Sequence, residues 1–206
     1  MSRRVHTFLH IHFHAYRCVS PARLAIAAIL ISLVFIFPIS AGQQALDLGG
    51  SPKDPLKETP GKVVVLVFVR TDCPISNRYA PLLQEMSVKY VGEAVFWLVF
   101  PDKNESPENI RSYLREFNYK LPALRDPDHS LVKKTGAKMT PEVAVFNLKR
   151  DLVYHGRIDD LYREFGKARR AATTHELADA IEAASKGVAP PSAAAEGVGC
   201  FISDLK

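Results

Sequence analysis

Cys73 stands where a chain can make a thiol reactive. It follows the apolar run Val63–Val69 and precedes Pro74, so a buried strand hands a cysteine to the first turn of a helix. Unpaired backbone N–H groups and the helix dipole favour an anion there, which lowers the pKa of a thiol. Cys73 is therefore the candidate nucleophile, suited to attack a disulfide or a peroxide. Arg70 and Arg78 flank it. A guanidinium close to the sulfur would stabilise the thiolate or orient a peroxide, and both arginines fit an exposed surface equally well. The other cysteines are Cys18 and Cys200, the latter in the small-residue setting Val198-Gly199-Cys200-Phe201-Ile202.

The elements that must position Cys73 are legible from pattern and punctuation. Lys62–Val69 predicts a strand buried on both faces. Pro74 to about Tyr90 predicts a helix with Tyr79, Leu82, Leu83 and Met86 on one stripe, kinked at Pro81. Ala94–Phe100 predicts a second buried strand. Ser106 then caps a helix that opens on Pro107 and runs to Phe117. Leu121–Leu124 is a short extended piece, and Asp128 caps a brief helix ending at Gly136. Glu142–Leu148 and Leu152–Gly156 alternate as a hairpin. Thr173-Thr174-His175-Glu176 predicts a capping box for a last helix closed by Gly187. The order is α/β, with a central mixed β-sheet covered by helices on both faces.

Composition sets bounds on the rest. The 206 residues allow one ordinary domain with extensions. The formal charge of +5 falls to +1 once Arg3, Arg4, Arg17 and Arg23 of residues 1–42 are set aside, so the basic balance implies no nucleic-acid partner. Those residues read as an export leader. A basic n-region precedes the apolar stretch Leu24–Phe37, Pro38 breaks it, and Ser40-Ala41-Gly42 offers a cleavage site. Fourteen apolar residues are short for a spanning helix, which needs ~20. The expected organisation is a signal peptide or N-terminal anchor at 1–42, a proline-punctuated lead-in at 43–60, the domain at 61–187 and a flexible Pro/Ala-rich tail at 188–206. The product would be periplasmic or extracellular, with inner-membrane anchoring through residues 24–39 as the alternative. Of the three cysteines, Cys73 and Cys200 then lie in the exported part, where an even pair invites a disulfide without proving one.

Taken together, these residues resemble the thioredoxin superfamily over about Gly61 to Gly187, in its peroxiredoxin-like and TlpA-like redoxin branch. The matching features are Cys73-Pro74, the helix proline at Pro81, the segment Leu121–Asp128, and Gly136-Ala137-Lys138-Met139-Thr140-Pro141 before the hairpin. The resemblance implies a thioredoxin fold with an extra strand–helix insertion ahead of a cis-proline loop at Pro141. It also implies a substrate groove in which the Thr140 backbone pairs with an extended substrate, lined besides by Pro74, Ser76 and Arg78. The chain departs from the family where C-x-x-C would place a second cysteine, which here is Ser76. Arg70 replaces the threonine that peroxiredoxins carry three residues before the cysteine, and Val67 replaces the buried acid of many thioredoxins. By analogy with peroxiredoxins that resolve through a C-terminal cysteine, Cys200 is the suggested resolving thiol.

Three functions compete on these residues. The first is an exported thiol-dependent oxidoreductase, of antioxidant or disulfide-exchange type, acting on protein disulfides or peroxides with an external reductant. The second is a copper-handling protein similar to the Sco proteins, with Cys73, Cys200 and His155 or His129 as the available soft donors. The third is a binding module that kept the fold and lost turnover, since a C-x-x-S site traps partners without releasing them. No motif calls for a cofactor: there is no nucleotide-binding glycine loop, no C-x-x-C-H haem attachment and no assigned metal site. Asp159 and Asp160 in Gly156-Arg157-Ile158-Asp159-Asp160 read as a solvated turn, with cation binding or tail orientation as alternatives.

Overall fold

A computed structural model of the chain describes residues 44–203 and 205. The leader, its anchoring and its histidines at positions 6, 10 and 14 lie outside the described residues, and among those described no helix is long and apolar enough to cross a membrane. In chain order the elements are β1 (Ala45–Asp47), β2 (Pro52–Lys53), α1 (Pro55–Glu58), β3 (Val63–Phe68), α2 (Pro74–Lys89), β4 (Ala94–Phe100), α3 (Pro107–Glu116), β5 (Ala123–Arg125) and α4 (Ser130–Thr135). There follow β6 (Met139–Thr140), β7 (Glu142–Phe146), β8 (Leu152–Gly156), β9 (Tyr162–Glu164), β10 (Lys167–Ala168), α5 (Glu176–Ser185), β11 (Ala194–Ala195) and β12 (Cys200–Phe201).

Eight strands form one mixed sheet in the order β11-β8-β7-β3-β4-β5-β1-β2. β3, β4 and β5 run parallel, joined by the crossovers through α2 and α3, while β7 returns antiparallel on the other side of β3. Every residue of β3 is buried, because the strand is central and both faces are covered. Val63, Val65 and Val67 face Ile75, Tyr79 and Leu83 of α2, with Ile110 of α3 and Leu177 and Ile181 of α5. Val64, Leu66 and Phe68 face Leu56 of α1, Leu131 and Val132 of α4, and Ile202. The strand therefore ends with helices on either side and its last peptide aimed at the start of α2.

Local expectations hold for some elements and resolve differently for others. α2 is the expected helix from Pro74 to Lys89 with Pro81 inside it, the ring costing one backbone hydrogen bond. α3 starts as expected, the Ser106 hydroxyl accepting from Asn109 N at 3.1 Å. α4 is capped by Asp126 rather than Asp128. His129 takes a left-handed backbone (φ 57°), and this turn brings the N–H groups of Ser130, Leu131 and Val132 onto the Asp126 carboxylate. The capping box of α5 does not form. Glu176 instead takes Arg157 and the Thr174 hydroxyl, and Asp160 takes the N–H groups of Thr173 and Thr174. The two aspartates are not a solvated turn: Asp159 and Asp160 are both buried, and Asp159 accepts from the Tyr79 hydroxyl of α2.

The segments outside the expected domain add strands at both edges of this sheet, and the end of the tail forms a separate two-stranded sheet with β6. The lead-in forms the β1–β2 hairpin, which pairs with β5 and lengthens the sheet at that edge. At the opposite edge the tail lays β11 parallel to β8 and then pairs β12 with β6. Gly156 permits the first of these contacts. Its φ is +138°, and a Cβ there would lie 2.9 Å from the Ala195 carbonyl carbon, so only glycine lets the tail backbone approach.

Candidate active site

The site forms where β3, α2, β6 and β12 converge. Cys73 is the N-cap residue of α2 with extended backbone (φ −89°, ψ 110°), and Pro74 occupies the first helical position, where a missing N–H costs nothing. Cys73 is fully buried, Pro74 exposed. The thiol donates to the Thr140 carbonyl at 3.1 Å. The Thr140–Pro141 peptide is cis, the conformation the cis-proline loop implied, and both residues are buried. Glu142, immediately after them, is buried and accepts from Lys138 N and Met139 N at 2.9 and 3.1 Å, which holds the loop leading into β6. Nothing in the sequence flagged Glu142, since it reads as the first residue of an ordinary hairpin strand.

Cys200 is brought to this point by the tail. In the β12–β6 pair, Cys200 stands directly across from Thr140 and Phe201 across from Met139. The Thr140 hydroxyl donates to the Cys200 carbonyl at 3.3 Å. Arg70 Nη1 reaches the Phe201 carbonyl at 3.3 Å, while the same guanidinium pairs with Asp72 at 2.8 Å and Asp102 at 3.6 Å. Ile202 N donates to the Lys138 carbonyl, and the Ile202 side chain is buried in the core on the α4 side of the sheet. Gly199 passes over the loop so closely that a Cβ would lie 2.7 Å from the Thr140 carbonyl carbon. Gly199, Ile202 and Arg70 fix the tail. The first two had only the faint signal of a small and an apolar residue around a cysteine near the terminus.

The two thiols are present as free cysteines with opposite acidities. Burial pushes Cys73 up, but the Cys200 thiol, the Ser76 hydroxyl and the backbone N–H groups of Ser76 and Cys200 more than offset it, and its pKa lies below the ordinary cysteine value. Burial pushes Cys200 up to about 12, helped by its position as donor to Cys73 and by the Cys73 charge, with Arg70 acting the other way. Of the two thiols Cys73 is therefore the first to ionise, with Cys200 placed to donate to the thiolate. Ser76, fully buried on the first turn of α2, has a hydroxyl with no other hydrogen-bond partner. It waits beside the sulfur as a donor for the thiolate.

Arg78 is not brought in. It is exposed on α2, and the cation at the site is Arg70. His129 binds the Pro101 carbonyl at 3.0 Å, and His155 lies 3.6 Å from Glu142. Among the described residues no three His, Cys, Asp or Glu side chains converge to hold a metal ion.

Residues 61–152 match the family model of thioredoxin-like proteins, a span that includes Cys73 and Pro141 and stops well before the tail. No curated protein matches the chain. Among solved structures, the chain superposes on a hypothetical protein from Sinorhizobium meliloti with a TM-score of 0.66 and 24% identity, covering 81% of this chain and 95% of that one. An uncharacterized conserved protein from Geobacillus kaustophilus gives a TM-score of 0.64 and 20% identity, covering 82% of this chain and 93% of that one. A secreted disulfide oxidoreductase from Mycobacterium tuberculosis is 17% identical, with a TM-score of 0.48 over 70% of this chain and 94% of its own. At these identities the likeness is one of fold, and function rests on the site.

Proposed function

We propose that this chain, which has a thioredoxin-like fold, is a thiol–disulfide oxidoreductase whose redox pair is Cys73 with Cys200, the second thiol being supplied by the C-terminal tail in place of a local C-x-x-C partner. The observation that carries this reading is the β12–β6 pairing, which sets Cys200 across from Thr140 while the Cys73 thiol rests on the Thr140 carbonyl. The Cys73 thiolate attacks one sulfur of a substrate disulfide, and the other substrate sulfur leaves as a thiolate. Cys73 is then neutral, so one cause of the high Cys200 pKa vanishes while Arg70 remains beside it. Cys200 gives its proton to solvent and attacks the Cys73 sulfur. That closes a Cys73–Cys200 disulfide and releases the substrate as its second thiol. An external dithiol returns the pair to the reduced state. The low Cys73 pKa stabilises the reduced pair, so reduction of substrate relies on the external dithiol and the Cys73–Cys200 disulfide is itself the more oxidising form.

The groove in this reading is formed by Thr140 and Pro141, with Ser76 as donor to the sulfur and Pro74 at its rim. The leader composition and the chemistry together support an exported protein, because a disulfide cycle suits an oxidising compartment. The test is trapping. Cys200→Ser offered a protein disulfide should accumulate a covalent Cys73–substrate adduct, while the native protein turns over and Cys73→Ser does neither. Native-like turnover by Cys200→Ser would remove the tail from the cycle. Oxidation by hydrogen peroxide with no reaction toward protein disulfides would move the substrate to peroxides.

A further inference from the structure

We infer that the chain's own tail is the resident competitor for the substrate groove along the edge of β6. Its sequence marks what that groove selects: an extended, cysteine-bearing polypeptide whose cysteine is preceded by glycine and followed, two residues on, by an aliphatic side chain. The inference rests on the thiol–disulfide reading and names its substrate class. With the tail seated, Cys73 and Thr140 are both fully buried, so no disulfide of any size reaches the nucleophile until β12 lifts. Among the described residues β6 pairs with β12 and with no other strand, so lifting the tail exposes an unpaired edge beside a reactive sulfur. A strand of similar form can then add to it through the same main-chain hydrogen bonds.

The tail displays what that edge accepts. The position of Gly199 admits no Cβ, because the Thr140 backbone occupies the space. The position of Cys200 puts a sulfur against Cys73. Phe201 points outward and is exposed, so its position is permissive. Ile202 is buried within the apolar core on the α4 side of the sheet, so its position selects an aliphatic group. Each turnover then needs two exchanges. The substrate strand displaces the tail so that Cys73 can attack, and the returning tail displaces the product strand as Cys200 closes the disulfide.

The test uses the full-length reduced protein and two probes, iodoacetamide and the peptide Val-Gly-Cys-Phe-Ile activated as a mixed disulfide with thionitrobenzoate. Ile202→Ala removes the buried anchor of the tail, and Gly199→Ala independently drives it off the Thr140 carbonyl. Both variants should alkylate at Cys73 about tenfold faster or more than the native protein, since access follows the population of the lifted tail. The peptide should react faster with both variants than with the native protein, and replacing its isoleucine by aspartate should slow it roughly fivefold or more. Alkylation of Cys73 at the native rate in both variants would overturn the competitor role of the tail. Equal rates for the isoleucine and aspartate peptides would overturn the substrate pattern. Neither readout needs a Cys73–Cys200 disulfide, so failure of that disulfide to form while these rates behave as expected would refute the redox pairing alone.

Discussion

Replacing Ser76 by alanine isolates the group that tunes the nucleophile. The Ser76 hydroxyl is fully buried and has no hydrogen-bond partner while Cys73 is a thiol donating to Thr140. A buried hydroxyl left in this state costs about 1–3 kcal/mol, and a hydrogen bond to a charged group is worth about 1.5–3 kcal/mol. The side chain is therefore a liability in the protonated enzyme and an asset in the ionised one. Removing it should lower the acid dissociation constant of Cys73 by roughly tenfold or more, since ~1.4 kcal/mol is a factor of ten. The lower end of that range is expected because the N–H groups of Ser76 and Cys200 and the Cys200 thiol remain as donors. The sign is fixed: losing a donor to the anion raises the pKa, and the thiolate fraction at neutral pH falls. The assay is the ultraviolet absorbance of the thiolate against pH in the reduced protein. Denaturant unfolding under mildly acidic conditions, where Cys73 is a thiol, provides the control and should show no loss of stability in Ser76→Ala. A titration curve superimposable on that of the native protein would refute the argument, as would a marked loss of stability at the acidic pH.

Three further perturbations follow from other parts of the molecule. Cys73→Ala removes the acceptor and the charge that help hold Cys200 up, so the Cys200 pKa should fall from about 12 while burial keeps it above the ordinary cysteine value, as thiolate absorbance would record. Gly156→Ala should destabilise by roughly 1–3 kcal/mol, because φ +138° and the Ala195 backbone both exclude a side chain, and the loss should appear in the urea midpoint together with faster proteolysis of the tail. Asp160 is held well below the usual carboxylate range by the hydroxyl and N–H of Thr173 and the N–H of Thr174, with Arg169 adding to them. Its contribution is fully present above the unfolded aspartate value of about 3.9 and is lost as pH falls toward the lower folded value, so the Tm gap between native protein and Asp160→Asn should narrow on going from about pH 6 to about pH 3.

What could be read from the sequence was local. The run Val63–Val69, Cys73 and Pro74 specify a strand, a cap and a helix start within a dozen residues, and propensity, punctuation and burial all agree there. Ser106-Pro107 and the hairpin of β7 and β8 were legible for the same reason. Pro141 was placed by resemblance alone, and its bond is cis. The tail was not legible as structure. Its two pairings are two residues long and join positions far apart in sequence, and Val198–Ile202 has no periodicity to declare a strand. The same holds for polar contacts that depend on tertiary approach. Asp126 reaches three N–H groups only because His129 adopts a left-handed backbone, and Asp159 is buried only because Tyr79 of α2 comes down on it. Arg70 and Arg78 looked equivalent as flanking cations. The strand end turns the first toward the tail and the helix turns the second to solvent, and spacing alone does not distinguish the two.

The pairing of Cys73 with Cys200 is the central claim, and peptide mapping of disulfides by mass spectrometry tests it most directly. Full-length protein would be oxidised with excess glutathione disulfide or reduced with dithiothreitol, then alkylated and digested. Oxidation should give a Cys73–Cys200 linked peptide, formed within one chain and absent after reduction. Cys73 and Cys200 each glutathionylated or free, with no linked peptide between them, would contradict it.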